Sequence, residues 1–353
     1  MNNKPIYLDN ASTTKVDDRV LNAMLPYFNE LYGNASSNHE FGKQSMDAIT
    51  NARKEVANLI NAIPEEIVFT SGATEAINMA IKGYWEANHE RGNHIITVKT
   101  EHKAVLKTCE YLEEKGVEVT YLDINEDGVI ELQDLIDAIK EDTILVSIMY
   151  VNNEIGVIQP IQEIGSICKE RNIAFFTDAT QAVGKMVVDV LEDNIDILCF
   201  SAHKINGPKG TGALYIKNDI KLIPLIHGGG QENELRGGTH NTPGIVGLGK
   251  ACEIVDADLQ NIIVSILDKR DEFEKHIETN NIGVINFKDT NRAPHISSIT
   301  LNNIDAEDYL LQHKEEFYAS TASACNSNLV EISHVIEVSS IENKEHVFRV
   351  SFS

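Results

Sequence analysis

The sequence predicts an α/β protein, with a mostly parallel central sheet in a large domain and a smaller α+β domain beside it. In the first two thirds of the chain, short apolar runs alternate with longer amphipathic segments, which is typical of strands joined by helical crossovers. The strand candidates are apolar almost throughout, as expected where helices cover both faces of a sheet. A different pattern begins after about Gly249.

The large domain is predicted to span residues 15–250. Its strand candidates are Ile67–Thr70, His94–Val98, Val117–Leu122, Thr143–Met149, Ile173–Thr177, Ile195–Phe200 and Ala213–Ile216. The helical patterns between them include Thr74–Glu90, Lys103–Lys115, Leu132–Lys140 and Ile161–Glu170. Strands alternating with helices in this way favour a parallel arrangement.

The smaller domain is predicted to consist of residues 1–14 and 251–353. The first fourteen residues are too short to fold alone, so we expect them to pack with the end of the chain. The elements predicted there are, in chain order, a long helix, two strands, a second helix and two further strands: Ala251–Glu278, Gly283–Phe287, Ser297–Leu301, Ala306–Lys314, Glu316–Ser320 and His346–Phe352.

Composition excludes several classes of function. The chain has 353 residues, with 30 Lys and Arg against 54 Asp and Glu, for a net charge of −24. Such a surface repels phosphate backbones and anionic lipids, so we expect neither nucleic acid nor membrane as a direct partner. The sequence has no apolar run near the ~18 residues of a membrane span, and no leader-like start. We expect a cytoplasmic protein.

The cysteines also indicate a reducing compartment such as the cytoplasm. The five cysteines are odd in number and widely spaced, and they form no CxxC pair: Cys109, Cys168, Cys199, Cys252 and Cys325. A disulfide framework or a zinc cluster is therefore not expected. We predict no metal site.

Two strand ends carry candidate catalytic groups. Lys204 follows an apolar strand and precedes a Gly- and Pro-rich loop, so at the carboxyl edge of a parallel sheet it would face the ligand crevice. A desolvated lysine there can react with a carbonyl cofactor, although a solvated lysine in a turn is the plainer interpretation. Asp178 ends another strand and could pair with a cationic nitrogen or cap a helix, and Gln181 could donate to a phenolate.

Three more strand ends offer complementary groups. Ser71 and Thr74 lie where a strand meets a helix. Their hydroxyls could help the free N–H groups of the helix bind an anion, or could simply cap the helix. His102 begins a helix after a strand and could lie over a planar ring or act as a cap, and Asn153 follows a further strand. Together the five strand ends supply what pyridoxal phosphate requires, namely phosphate donors, an acidic partner for the pyridinium and a lysine for the aldehyde.

The sequence as a whole resembles the NifS/IscS-type cysteine desulfurases of the class V aminotransferase-like group. The resemblance extends over essentially the whole chain and rests on nine stretches in order: YLDNASTT, GNASSNHEFG, FTSGATEAIN, TEHKAV, VNNEIGVIQP, TDATQAVGK, SAHKINGPKGTGALYI, HGGGQENELRGGT and SACNS. It implies the fold of type I pyridoxal-phosphate-dependent transferases.

The resemblance also implies residue roles. Lys204 matches the lysine that carries the cofactor, Asp178 the partner of the pyridine nitrogen and His102 the ring-stacking, proton-transferring residue. The other cofactor-binding matches are Thr74, Gln181, Ser201, His203, Asn153 and Thr239, the last being contributed by the neighbouring subunit of a homodimer. Arg349 matches the arginine that holds the substrate carboxylate, with Asn153 nearby.

Cys325 is the candidate nucleophile. It lies in a run of small polar residues that predicts a mobile loop, whereas the other four cysteines lie in helical or strand patterns and are expected to be apolar fillers. In the family this position becomes a persulfide. The family usually has glycine where Ala322 stands, and it continues past the position of Ser353 with a C-terminal helix, so the protein is either naturally short or receives that terminus from elsewhere.

The implied activity is conversion of L-cysteine to L-alanine, with sulfur passing through Cys325 to an acceptor or scaffold protein. One alternative is a selenocysteine lyase, which shares the cofactor apparatus. A second alternative is a weakly active scaffold or regulatory subunit that depends on a partner. The destination of the sulfur, whether iron–sulfur clusters, tRNA or DNA, is not encoded in these motifs.

Overall fold

The structure is a computed structural model that describes the backbone of residues 4–321, 323–326 and 329–353. Side chains are described for residues 4–321 and 332–353. The described strands are β1 (Ile6–Tyr7), β2 (Ile67–Thr70), β3 (His94–Val98), β4 (Glu118–Leu122), β5 (Thr143–Ser147), β6 (Ala174–Asp178), β7 (Ile197–Ser201), β8 (Gly212–Ile216), β9 (Gly283–Ile285), β10 (Ile296–Leu301), β11 (Phe317–Tyr318), β12 (Ser320–Thr321), β13 (Ser323–Asn326), β14 (Leu329–Ile332) and β15 (Val347–Ser351).

Helices connect most of these strands. The described α-helices are α1 (Asp18–Met24), α2 (Pro26–Asn29), α3 (Glu40–Leu59), α4 (Ala73–Asn88), α5 (Lys103–Glu113), α6 (Leu132–Ala138), α7 (Ile161–Glu170), α8 (Thr242–Thr279), α9 (Ala306–Gln312) and α10 (His334–Val338). The elements predicted between residues 67 and 216 are confirmed, with ends that differ by at most two residues.

The central sheet has seven strands in the order β2-β8-β7-β6-β5-β3-β4. Only β8 runs antiparallel to its neighbours, so the predicted mostly parallel sheet is confirmed. Successive residues face opposite sides: Phe175 packs in one apolar cluster and Phe176 in another. Because both faces are covered by helices, the strands carry apolar residues at nearly every position.

A second, antiparallel sheet has the strand order β12-β15-β10-β9 and packs around Ile277, Ile299 and Phe348. The start of the chain joins this region, because β1 pairs in parallel with β11 and Asp9 forms a bridge with Ser351. The predicted strand at 316–320 is divided into β11 and β12, which pair with different partners. The predicted boundary at 250/251 falls inside α8, and the division into two domains stays a prediction.

The backbone around Cys325 contains two short paired strands. Strand β13 pairs antiparallel with β14, with Cys325 opposite Val330, and the predicted mobility of this segment stays a prediction. The small residues of β13, Ser-Ala-Cys-Asn, have little strand propensity of their own, but Leu329–Ile332, with three aliphatic residues in four, provides a pairing partner. Ala322 and the Cys325 side chain lie outside the described residues.

None of the helices in the described ranges combines the length and the apolar character needed to cross a bilayer. Among the same residues, no group of three or more His, Cys, Asp and Glu side chains is arranged to hold a metal ion.

Candidate active site

A cavity of about 750 Å³ lies at the carboxyl ends of the central strands, where ligands bind in open α/β sheets. Most of the predicted site residues line it together: Thr74, His102, Asn153, Asp178, Gln181, Ser201, His203, Lys204 and Arg349. Thr239 does not line it and is exposed on the segment after the short helical turn at Gln231–Glu234. The Cys325 side chain is outside the described residues.

Lys204 extends from the turn that follows β7. Its Nζ donates hydrogen bonds to the carbonyl oxygens of Ala11 and Ser12, the latter at 2.9 Å. Burial, reinforced by the positive charge of Arg349, lowers the pKa of Lys204 to about 8. The amine therefore reaches its uncharged, nucleophilic state much closer to neutral pH than an exposed lysine does.

The N-terminus of α4 forms one wall of the cavity. It begins after Gly72, which has a φ of +149° and provides no side-chain cap for the first turn. A Cβ on the facing Gly212 would come within 2.7 Å of the Gly72 Cα, so only glycine permits this close approach of β8. The exposed Thr74 hydroxyl lies in the same turn. Helix N–H groups without a cap, together with this hydroxyl, make an anion site.

Ser201 and His203 complete that wall. The Ser201 Oγ donates to the Thr211 carbonyl at 3.4 Å, a long bond that leaves the hydroxyl available to a ligand. Burial and the neighbouring Lys204 lower the pKa of His203 to about 4, so its imidazole is neutral near pH 7. Its Nδ1 lies 3.1 Å from the Thr13 hydroxyl.

Asp178 and Gln181 occupy the floor. Asp178 is buried, and its Oδ1 accepts a hydrogen bond from the Thr180 N–H at 3.0 Å and faces the Cys199 thiol at 3.7 Å. The carboxylate thus caps a turn after β6 rather than a helix. Gln181 donates through Nε2 to the Ala11 carbonyl at 2.9 Å, while its Oε1 lies 3.0 Å from Nε2 of His295.

His102 serves as a helix cap as well as lining the cavity. Its Nδ1 accepts the Ala104 N–H at 3.1 Å at the start of α5. This contact fixes the ring and leaves Nε2 for a ligand. The capping interpretation and the ring-stacking interpretation of His102 are therefore compatible.

Arg349 reaches the cavity from β15. Its guanidinium donates to Asp9 Oδ1 at 2.6 Å, to Ser12 Oγ at 2.8 Å and to the Asn153 carbonyl at 2.7 Å. Its Nε is buried without a hydrogen-bond partner. A buried guanidinium with an unpartnered N–H beside an open cavity suits recognition of a carboxylate.

The four cysteines predicted to be fillers are buried. Burial raises the pKa of the thiols of Cys109 and Cys168 to about 12, and those of Cys199 and Cys252 are raised as well. None of these four is suited to act as a thiolate at neutral pH.

Sequence reasoning missed three residues that support the site. Asp9 holds Arg349, His295 contacts Gln181, and Glu101 accepts the Met149 N–H at 2.6 Å from a fully buried position. Burial, with the nearby charge of Asp178, raises the pKa of Glu101 well above its usual range. Asp9 and Glu101 lie inside the motifs YLDNASTT and TEHKAV, whereas nothing in the sequence around His295 distinguishes it from a core histidine.

The chemistry of this donor set fits pyridoxal phosphate. The Lys204 amine with its lowered pKa, the buried Asp178 carboxylate, the uncapped N-terminus of α4 and the Arg349 side chain all line one cavity. These match the needs of an aldehyde, a pyridinium, a phosphate and a substrate carboxylate.

Comparisons with known proteins agree with this chemistry. A family model described as aminotransferase class-V matches residues 6–353. A cysteine desulfurase IscS of Methanosarcina thermophila is 49% identical over 335 residues, covering 95% of this chain and 83% of that protein. A solved structure described as a NifS-like protein superposes with a TM-score of 0.92 at 37% identity, covering 99% of this chain and 93% of that one. A structure of SspA in complex with cysteine has a TM-score of 0.88 at 39% identity and covers 99% of both chains.

Proposed function

Because the chain belongs to the class-V aminotransferase family, we propose that it is a pyridoxal-phosphate-dependent cysteine desulfurase. It converts L-cysteine to L-alanine and passes the sulfur through a persulfide on Cys325 to acceptor proteins. The observation that carries this proposal is the convergence of the Lys204 amine, the Asp178 carboxylate and the uncapped start of α4 on one cavity. When bound, pyridoxal phosphate supplies an electron sink next to the Cα of the amino acid.

In this proposal the residues of the large domain hold the cofactor. Lys204 carries it, Asp178 keeps the pyridine nitrogen protonated, and Gln181 donates to the phenolic oxygen. Thr74, Ser201, His203 and the N–H groups of α4 bind the phosphate. His102 stacks on the ring and moves a proton, with its orientation fixed by the Ala104 N–H.

Arg349 and Asn153 bind the substrate in this proposal. The buried Arg349 Nε supports recognition of an amino acid carboxylate, and Asp9 holds the guanidinium in place. The complex of SspA with cysteine supports L-cysteine as the substrate of this chain.

Sulfur transfer is assigned to Cys325. Its thiolate attacks the substrate sulfur, so that an S–S bond forms while the C–S bond breaks. The electron pair of the broken bond stays with the Cβ of the substrate, which takes up a proton. The product then leaves as alanine. The high thiol pKa values of the four buried cysteines support Cys325 as the nucleophile by elimination.

We further propose a cytoplasmic homodimer in which Thr239 completes the phosphate site of the neighbouring subunit. The exposure of Thr239 outside its own cavity supports this arrangement. The net charge of −24 and the reduced, buried cysteines support a cytoplasmic location. A sulfur-acceptor or scaffold protein is the further partner.

Two alternatives are separable by product analysis. A selenocysteine lyase releases alanine from selenocysteine but not from cysteine. A scaffold or regulatory subunit releases little alanine from either substrate until a partner is added. The complete set of cofactor-facing residues favours an enzyme over a scaffold.

The test compares the native protein with Cys325→Ala and with Cys252→Ala, a matched change at a buried position. The native protein and Cys252→Ala should form alanine from L-cysteine and gain one sulfur on the Cys325 peptide, about 32 Da by mass spectrometry. Cys325→Ala should still bind cysteine and shift the cofactor spectrum, yet form less than about 1% of the alanine, because no thiolate receives the sulfur. Full desulfuration by Cys325→Ala, or sulfur on Cys109 or Cys252 instead, would refute the assignment.

A further inference from the structure

A buried hydrogen-bonded chain connects the second sheet to the floor of the active-site cavity. It runs from His295, directly before β10, through the Gln181 side chain to the Ala11 carbonyl, which also accepts from Lys204. His295 has no exposed surface, and its Nδ1 is buried without a hydrogen-bond partner. A histidine in this position is not explained by the cofactor contacts proposed above.

These hydrogen bonds fix the orientation of the Gln181 amide and of the His295 ring. The Ala11 carbonyl can only accept, so the amino group of Gln181 must face it and the Oε1 must face His295. That oxygen can only accept as well, so His295 must donate from Nε2. Its Nδ1 then carries no proton, which agrees with the absence of an acceptor near it.

The surroundings keep His295 in this neutral form. Burial lowers the pKa of His295 well below its usual value, and several cations act in the same direction: Lys185, Arg349, Lys204 and Arg270. A protonated ring would leave a second N–H unpaired in a buried, positively charged setting. The neutral ring, with Nε2 as its donor, is therefore the favoured form of His295 near neutral pH.

We infer that His295 is a positioning residue that acts together with the Ala11 carbonyl to lock the Gln181 amide, with the amino group held on the side where Ala11 lines the cavity. This inference rests on the proposed function, in which Gln181 contacts the phenolic oxygen of pyridoxal phosphate. Locked in this way, Gln181 can donate to that oxygen but cannot present its own carbonyl oxygen to it. The second sheet thereby controls the electronic state of the cofactor without touching it.

The consequence is measurable in the visible absorbance of the holoprotein. A hydrogen-bond donor at the phenolic oxygen of the cofactor stabilises the ionised form of that oxygen. If Gln181 is no longer held in place, the pH midpoint of the change in cofactor absorbance should therefore rise. His295→Met removes the donor at similar size, whereas His295→Gln retains an N–H at a similar distance. We expect His295→Met to raise the midpoint by about 0.5 pH unit or more, and His295→Gln to restore most of the native value.

Two further variants separate positioning from general damage. In a Gln181→Ala background, His295→Met should have no additional effect on the midpoint, because the residue through which it acts is gone. His94 is also fully buried and bonds to the Thr143 and Thr120 hydroxyls. His94→Met should therefore lower thermal stability without moving the midpoint.

Nitrogen-15 NMR of the native protein tests the same lock without a substitution. It should show His295 protonated on Nε2 and bare on Nδ1 at every pH from about 6 to 9, because burial and the surrounding cations lower the pKa of His295 well below its usual value. An Nδ1–H tautomer, an unchanged midpoint in His295→Met, or an equal shift in the Gln181→Ala background would overturn the inference. Alanine formation from cysteine is scored separately, so loss of the lock and loss of the proposed function give different results.

Discussion

At the scale of single residues, the site depends on groups whose ordinary properties are changed by burial. Lys204 is the clearest case, because desolvation disfavours its charged form more than Asp178 and Asp9 favour it. The size of this effect could not be predicted from the sequence, since it arises from the carbonyls and side chains that folding assembles around the amine. The residue type and its place at a strand end made Lys204 a candidate, and the match of SAHKINGPKGTGALYI to the family predicted its role.

The pKa of Lys204 predicts how the apoprotein captures its cofactor. The amine is charged below about pH 8 and neutral above it, so the rate of covalent capture should rise with pH to a plateau with a midpoint near 8. Stopped-flow absorbance after mixing with pyridoxal phosphate measures this rate. Lys204→Arg should show no covalent phase at any pH. A native midpoint near the value of an exposed lysine, about 10.4, would contradict the prediction.

At the scale of secondary-structure elements, the strands and crossover helices could be predicted because their apolar patterns are set by two-sided burial. The pair of strands β13 and β14 could not be predicted, because β13 has little strand propensity of its own and depends on pairing with Leu329–Ile332. The same limit applies inside the site: Lys204 and Asp178 mark their own strand ends, whereas His295 acts across a contact between distant parts of the chain.

The segment before Thr239 shows how one buried carboxylate holds an irregular element. Glu232 has a left-handed φ of 48°, accepts the Phe69 N–H at 2.9 Å and pairs with Arg53 and His240. Burial alone would raise the pKa of Glu232, but the hydrogen bonds from His240 and Arg53 outweigh it and lower the pKa to about 2. The ionised carboxylate therefore anchors this segment to β2.

Glu232→Gln should lower the free energy of unfolding by about 3 kcal/mol at pH 7, because a carboxyl with a lowered native pKa stabilises the fold once it is ionised. This contribution is complete above about pH 4.5 and is lost as the pH falls through about 2, so the native and variant curves should converge in acid. Urea denaturation at several pH values measures it. Glu118→Gln, at an exposed pair with Lys140, is the control and should show no measurable change. An equal effect of both changes would be inconsistent with an anchoring role.

At the scale of the whole molecule, the cavity is built by distant parts of one chain. The N-terminal segment contributes Ala11 and Ser12, the central sheet contributes Asp178 and Lys204, and β15 contributes Arg349. Among the predicted site residues whose side chains the structure describes, Thr239 is the one that lies outside the cavity of its own chain. The proposed dimer accounts for it by placing Thr239 against the phosphate of the neighbouring subunit.

Mixed dimers test that arrangement. Lys204→Ala lacks a cofactor-carrying lysine, and Thr239→Ala should bind the cofactor several-fold more weakly through loss of one hydroxyl contact. In a mixture, the subunit that keeps Lys204 receives a native Thr239 from its Lys204→Ala partner. Half of the heterodimer sites should therefore regain native cofactor affinity, measured by fluorescence titration. Unchanged weak binding in the mixture would show that Thr239 does not act across subunits.

The cavity around Lys204 is proposed to be the pyridoxal phosphate site of a cysteine desulfurase. Borohydride reduction of the holoprotein, followed by peptide mapping, is the decisive test of this assignment. We expect one pyridoxyl group per chain on the Lys204 peptide, and its loss when L-cysteine is added before the reductant. Lys209 lines the same cavity but is exposed, and it provides the internal comparison. Label on Lys209, or no stable label at all, would refute the assignment of Lys204.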